Sequence, residues 1–254
     1  MNISGLLPLI ESLPAFEALA AALRAQPTVT AEVIEAARSP MLAALSRSLD
    51  APIVVLTARS DRAKQLADEL NVWRHESGGV SIFPEPDPLF YERMPWNAET
   101  IAARLGAFAA LAQSRGARSA SKPIIVSSVR ALMQRTVPPS DFLAAVRVLR
   151  RGESKSLIEL LSSLVTLGYE YEVVVETPGA FSRRGGILDI WPPSVAQPVR
   201  IEFAGDEIAP LRAFDPATQR SAEQIDVLTI IPASEALPGR GSEAVRALAK
   251  LDLA

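Results

Sequence analysis

The sequence predicts a mixed α/β chain, a parallel-sheet portion followed by a smaller α+β portion. Short apolar runs at Ile53–Leu56, Val80–Phe83 and Ile124–Val126 alternate with stretches of helical periodicity, the rhythm of a parallel sheet with helical crossovers. Beyond about residue 137 one helical stretch is followed by strands with turn signals between them. At 254 residues and 48% apolar composition the chain can bury a substantial core.

Leu6, Ile10, Leu13, Phe16, Leu19 and Leu23 recur at three- and four-residue spacing, which predicts a helix over residues 1–25. An extended piece follows over Thr28–Ile34. Ser39-Pro40 then reads as an N-cap with proline at the first helical position, opening a helix to Leu49. Asp50-Ala-Pro52 ends it, Ile53–Leu56 reads as a buried parallel strand, and Ser60-Asp61 opens an amphipathic helix to Leu70. Val80–Phe83 is the next strand. A proline-rich segment over 83–97 leads to a helix over Ala98–Leu111, a loop over Ala112–Lys122 and a strand at Ile124–Val126.

Thr136-Val-Pro-Pro139 marks a boundary near 137, giving portions at 1–137, 138–232 and 233–254. The second portion reads as a helix over Ser156–Leu167 and strands at Tyr169–Val175, Gly186–Trp191, Val199–Phe203 and Glu207–Phe214. Ala204–Glu207 is a hairpin turn. Ile225–Ile231 is a further strand candidate, and Ser242–Leu253 a helix.

The formal net charge is -3 and the isoelectric point near 5.4, so no global basic field draws nucleic acid; any DNA contact would be local. Without cysteine, disulfides and thiolate metal sites are excluded, in keeping with a reducing cytoplasm. No apolar run reaches the roughly 18 residues that span a bilayer, and Met1-Asn-Ile-Ser-Gly5 has no basic leader, so an unexported cytoplasmic protein is expected.

Glu32 to Ser39 stands where an α/β nucleotide-binding fold holds its phosphate loop. Such a loop needs two glycines and a lysine, and here Glu32 and Ala37 take the glycine places and Arg38 the lysine place. No nucleotide binding is expected there. Glu85 and Asp87 read as surface-loop carboxylates before an acid/base pair, and Phe90, Tyr91 and Trp96 as packing before base stacking. His75, the single histidine, has no ligand companions, and Ser140-Asp141 reads as an N-cap.

The strongest signal is FSRRGGILDIWPP, Phe181 to Pro193. Arg183 and Arg184 precede Gly185-Gly186 and an apolar run, which puts guanidinium groups at the start of a strand where they can meet carboxylate or phosphate. Ile187, Leu188, Ile190 and Trp191 are too apolar for a strand exposed on both faces.

That run, with VRIEFAGDEI and FDPATQRS after it, resembles the bacterial transcription-repair coupling factor and more distantly the excinuclease B subunit. The likeness extends upstream through PIVVLTARSDRAKQLADEL, FPEPDPLFYERM, ETIAARLGAFAAL and IIVSSVRALMQR. The missing phosphate-loop glycines and the lack of a tyrosine cluster favour the coupling factor. The resemblance implies a degenerate RecA-like, P-loop-NTPase-like α/β domain, an inserted α+β domain that binds the excinuclease A subunit, and a return to the first domain. On that basis the chain is an N-terminal piece without catalysis or cofactor. ATP and magnesium, RNA polymerase and DNA would belong to motor and polymerase-binding domains beyond it. Arg184 matches the family's arginine before glycine. Tyr171 and Ser182 align with arginines of excinuclease B proteins and have lost that charge, while Arg183 and Ile187 lie beside the contact. A nucleotide-binding helicase half and a direct DNA-binding module are the alternative readings.

Overall fold

The computed structural model describes residues 3–74, 79–86, 96–114 and 122–237. They form two compact units, residues 1–86 with 107–134 and residues 87–106 with 135–254. The expected helix over 242–253 lies outside the described residues.

In the first unit, a single 3-10 turn at Ser4–Leu6 leads into α1 (Leu7–Glu11) and α2 (Pro14–Ala25). The single helix expected over 1–25 is thus broken, because Pro14 starts a new helix at its first position. Residues 28–34 join no sheet. Then come α3 (Glu35–Ser48), β1 (Ile53–Thr57), α4 (Ser60–Trp73), β2 (Val80–Phe83), α5 (Ala98–Ser114), β3 (Ile124–Ser128) and α6 (Val129–Leu132). Both compact units share α5, which changes unit after Gly106.

The three strands form a parallel sheet in the order β1-β3-β2. Every residue of the central strand β3 is buried. Ile124 and Val126 face a core made with Ala43, Ala44 and Leu45 of α3 and Leu66 and Leu70 of α4. On the other face Ile125 packs with Phe83 and Ala107. β1 is less buried than its composition suggests. As an edge strand it leaves Val54 and Leu56 half exposed.

The second unit contains α7 (Pro139–Ala145), β4 (Arg147–Arg150), α8 (Leu157–Thr166), β5 (Glu170–Tyr171), β6 (Ala180–Arg184), β7 (Ile187–Ile190), β8 (Val199–Ala204), β9 (Glu207–Phe214), β10 (Ser221–Ile225) and β11 (Val227–Ile230). Six strands make a mostly antiparallel sheet in the order β10-β9-β8-β7-β6-β5, while β11 and β4 pair separately. The strand expected over 169–175 shortens to β5. The helix expected over 156–167 is α8, with Ser156 as its N-cap, the serine hydroxyl accepting from the Glu159 backbone N–H. Its Leu157, Leu160 and Leu164 close a core with Leu149, Leu188, Ile190, Ile201, Leu211, Leu228 and Ile230.

Tyr169 sits in this core and donates its hydroxyl to the Ile231 carbonyl at 2.8 Å. Burial pushes its phenol pKa far above the ordinary value. Tyr169→Phe leaves that buried carbonyl short of a donor, so a loss of about 1–2 kcal/mol is expected in urea unfolding.

Candidate protein-docking surface

β6 and β7 are joined by a two-residue turn, with Arg184 paired to Ile187 across it. Gly185 takes the first central position at φ +61°, a conformation that costs a side-chain-bearing residue energy. Gly186 packs against β8, where a Cβ would come 3.0 Å from the Phe203 carbonyl oxygen. The glycine pair therefore serves the hairpin and its packing. Arg183 and Arg184 end β6, a strand the sequence pattern did not show, and do not begin the next one as expected.

Side chains alternate faces along a strand and share a face with their cross-strand partners. Phe181 and Leu188 point to the α8 side of the sheet, in the core, and the pairing of Arg183 with Leu188 places Arg183 on that side, at its exposed end. Tyr171 is there too, opposite Phe181, with the two rings edge to face at 5.7 Å. Ser182, Arg184, Ile187 and Asp189 occupy the other, outer face. The five residues singled out around the hairpin thus divide, with Arg184, Ile187 and Ser182 on one face and Arg183 and Tyr171 on the other.

Their exposure differs as well. Ser182 is buried, and its hydroxyl donates to the Val173 carbonyl at 3.1 Å. Arg184 is exposed and donates to the same carbonyl at 3.2 Å. Among the described residues no carboxylate lies within ion-pair distance of Arg184. Arg183 folds its Nε back onto the Gly185 carbonyl at 3.0 Å.

Farther across the outer face, Asp189 and Arg200 form a bidentate pair at 2.7 and 2.8 Å. The hydrogen bond to Asp189 holds the Arg200 guanidinium above its ordinary pKa. Arg200 also lies over the Phe214 ring at 4.9 Å. Arg212, its neighbour in register, donates to Glu202 at 2.6 Å. This ladder was not singled out from the sequence. An aspartate inside an apolar strand, one hairpin away from an arginine in VRIEF, was the available signal.

The segment equated with a phosphate loop has a different form. α3 opens at Glu35 with Ile34 as its N-cap, so Ala37, Arg38 and Ser39 lie inside the helix and Pro40 is internal. Ser39 is not the expected cap. It is buried, and its hydroxyl donates to Glu69 of α4. That contact and the pairing of Arg62 with both Glu35 and Glu69, each at 3.1 Å, carry the helix upstream past the proline. A cavity of about 350 Å³ here is lined by Glu35, Ser39, Arg62, Gln65, Glu69 and Trp73. Its arginine is already matched by two carboxylates, a poor setting for phosphate. Glu32 precedes the helix in irregular chain.

Glu85 accepts from the Ser128 hydroxyl at 2.6 Å and lies 3.8 Å from Arg130, so it helps to cap α6. Asp87, Phe90, Tyr91 and His75 lie outside the described residues. Trp96 packs over Arg104, with 5.0 Å between the guanidinium carbon and the ring. Pro138 is the N-cap position of α7 and Pro139 its first helical residue, so the helix starts two residues earlier than Ser140-Asp141 suggested. Among the described residues no group of three His, Cys, Asp or Glu side chains could hold a metal ion, and no single helix is long and apolar enough to cross a membrane.

A family described as the UvrB interaction domain matches residues 148–235, which span β4 to just beyond β11. The transcription-repair-coupling factor of Myxococcus xanthus is 35% identical over 207 residues, covering 80% of this chain and 17% of that protein. The same-named protein of Bacillus subtilis is 32% identical over 216 residues, 85% of this chain and 18% of the relative. That of Escherichia coli is 27% identical over 205 residues, 80% of this chain and 17% of the relative. The chain therefore spans less than a fifth of the length of these relatives. It is homologous to the N-terminal part of transcription-repair-coupling factor, the protein of transcription-coupled DNA repair, and contains a UvrB interaction domain.

Proposed function

We infer that the second unit is a docking module that recruits the excinuclease A subunit to a stalled transcription complex, and that this chain performs no catalysis of its own. The observation that carries the reading is Arg184, an exposed guanidinium at a hairpin tip with no carboxylate partner among the described residues, inside the matched interaction domain. An arginine held on a rigid hairpin loses little freedom when a partner's acidic group engages it. The absence of nucleotide chemistry is supported by α3, whose turns contain Ala37, Arg38 and Ser39, three of the residues that would have to form a phosphate loop. ATP hydrolysis and the RNA polymerase and DNA contacts then belong to other parts of the whole protein.

The test is capture of purified excinuclease A subunit by the immobilised chain, run beside an ATP-binding titration. Capture without ATP binding is the expected result. ATP binding without capture would replace the docking reading with that of a helicase half.

A further inference from the structure

The surface around Arg184 is built differently from a simple cluster of charge. Val173 is 72% exposed and Ile187 38% exposed. Ile187 is the cross-strand neighbour of Arg184, and the Arg184 guanidinium bonds the Val173 carbonyl. The cation thus lies between Ile187, its exposed cross-strand neighbour, and the backbone of the exposed Val173. An exposed arginine is a residue type enriched at interface centres, and exposed apolar neighbours can exclude water around it when a partner docks.

Val173 follows the two-residue strand β5 and has no strand partner of its own. Two side-chain donors on the outer face of β6 hold it instead. Ser182, at 3.1 Å, and Arg184, at 3.2 Å, converge on its carbonyl oxygen. Ser182 is itself buried at 4% exposure, so it has no surface to offer a partner. Just before this point the Glu172 N–H bonds the Phe181 carbonyl at 2.9 Å, which fixes where the chain leaves the sheet.

Resting on the docking function above, we propose that Val173 is a contact residue of that interface and Ser182 its positioning residue. The partner then presents a carboxylate set in an apolar rim, the carboxylate meeting Arg184 and the rim meeting Val173 and Ile187. Charge complementarity selects the acidic group, and the two exposed apolar side chains select its surroundings. Excluding water from the rim strengthens the ion pair at its centre.

The test is calorimetric titration of the excinuclease A subunit with the wild-type chain, Val173→Ser, Ser182→Ala and Arg184→Ala, at two salt concentrations. Val173→Ser is expected to weaken binding about tenfold with an unchanged salt slope and a smaller heat-capacity change, because apolar burial is lost and charge is not. Ser182→Ala, which removes one of the two donors on the Val173 carbonyl, is expected to weaken binding about threefold to tenfold while the chain stays fully folded at the titration temperature. Unchanged affinity in both variants, with Arg184→Ala still impaired, would overturn this inference alone. No effect of Arg184→Ala would overturn the docking function on which it rests.

Discussion

Arg104→Met is expected to destabilise the second unit by about 3–5 kcal/mol. The Arg104 side chain is completely buried, and that of Glu235 is 10% exposed. Two guanidinium nitrogens meet the two carboxylate oxygens, with Nη2 to Oε2 at 3.2 Å, and the Trp96 ring covers the cation. Methionine fills similar space and leaves the Glu235 carboxylate buried without its counterion, which is the costly outcome. The double variant Arg104→Met/Glu235→Met should recover most of the loss, since removing both charges also removes their desolvation. Equilibrium unfolding in urea checks both. The Arg212–Glu202 pair, whose side chains are 37% and 39% exposed, is the natural control, with an expected cost of at most about 1 kcal/mol. Equal costs for the two pairs would contradict the burial argument.

The elements that were legible in the sequence have local causes. Ser156 precedes an apolar helical face and caps it, and Ala204-Gly-Asp-Glu207 joins two alternating strands, so α8 and the β8–β9 hairpin appear where expected. β6 and β10 owe their form to pairing. β6 ends in two arginines, and β10, SAEQI, has no buried residue and exists as a strand only along the edge of β9. β4 buries one side chain, Leu149, and its apolar pattern is too short to be seen before β11 pairs with it.

Ser39-Pro40 shows tertiary contacts overriding a strong local start signal. The proline was read as the first helical residue, yet Ser39 and Arg62 both reach Glu69, and Glu35 meets Arg62, so the helix begins a turn earlier. Arg104 was hidden for the opposite reason. A charge in an alanine-rich helix reads as a solvated face, and its partner Glu235 lies 131 residues away. At the proposed docking surface, the motif pointed to Arg184 and to Ile187 beside it. It could not show that Ser182 is buried or that Tyr171 and Arg183 face the other side, because those facts depend on strand register.

Arg184→Ala is the second large effect. The hairpin keeps its glycine turn and core residues in this variant, so the fold should be unaffected apart from one hydrogen bond to the Val173 carbonyl. Truncating an arginine anchor at the centre of an interface costs about 2 kcal/mol or more, a loss of roughly thirtyfold in affinity. Arg184→Lys keeps the charge without the planar fork and should recover only part of it. The most direct measurement is calorimetric titration of the excinuclease A subunit with the wild-type chain and with Arg184→Ala at equal melting temperature. Binding by the wild type with at least about thirtyfold weaker binding by the variant is expected. Equal affinity for the two chains, or no binding by the wild type, would contradict the docking role of this surface.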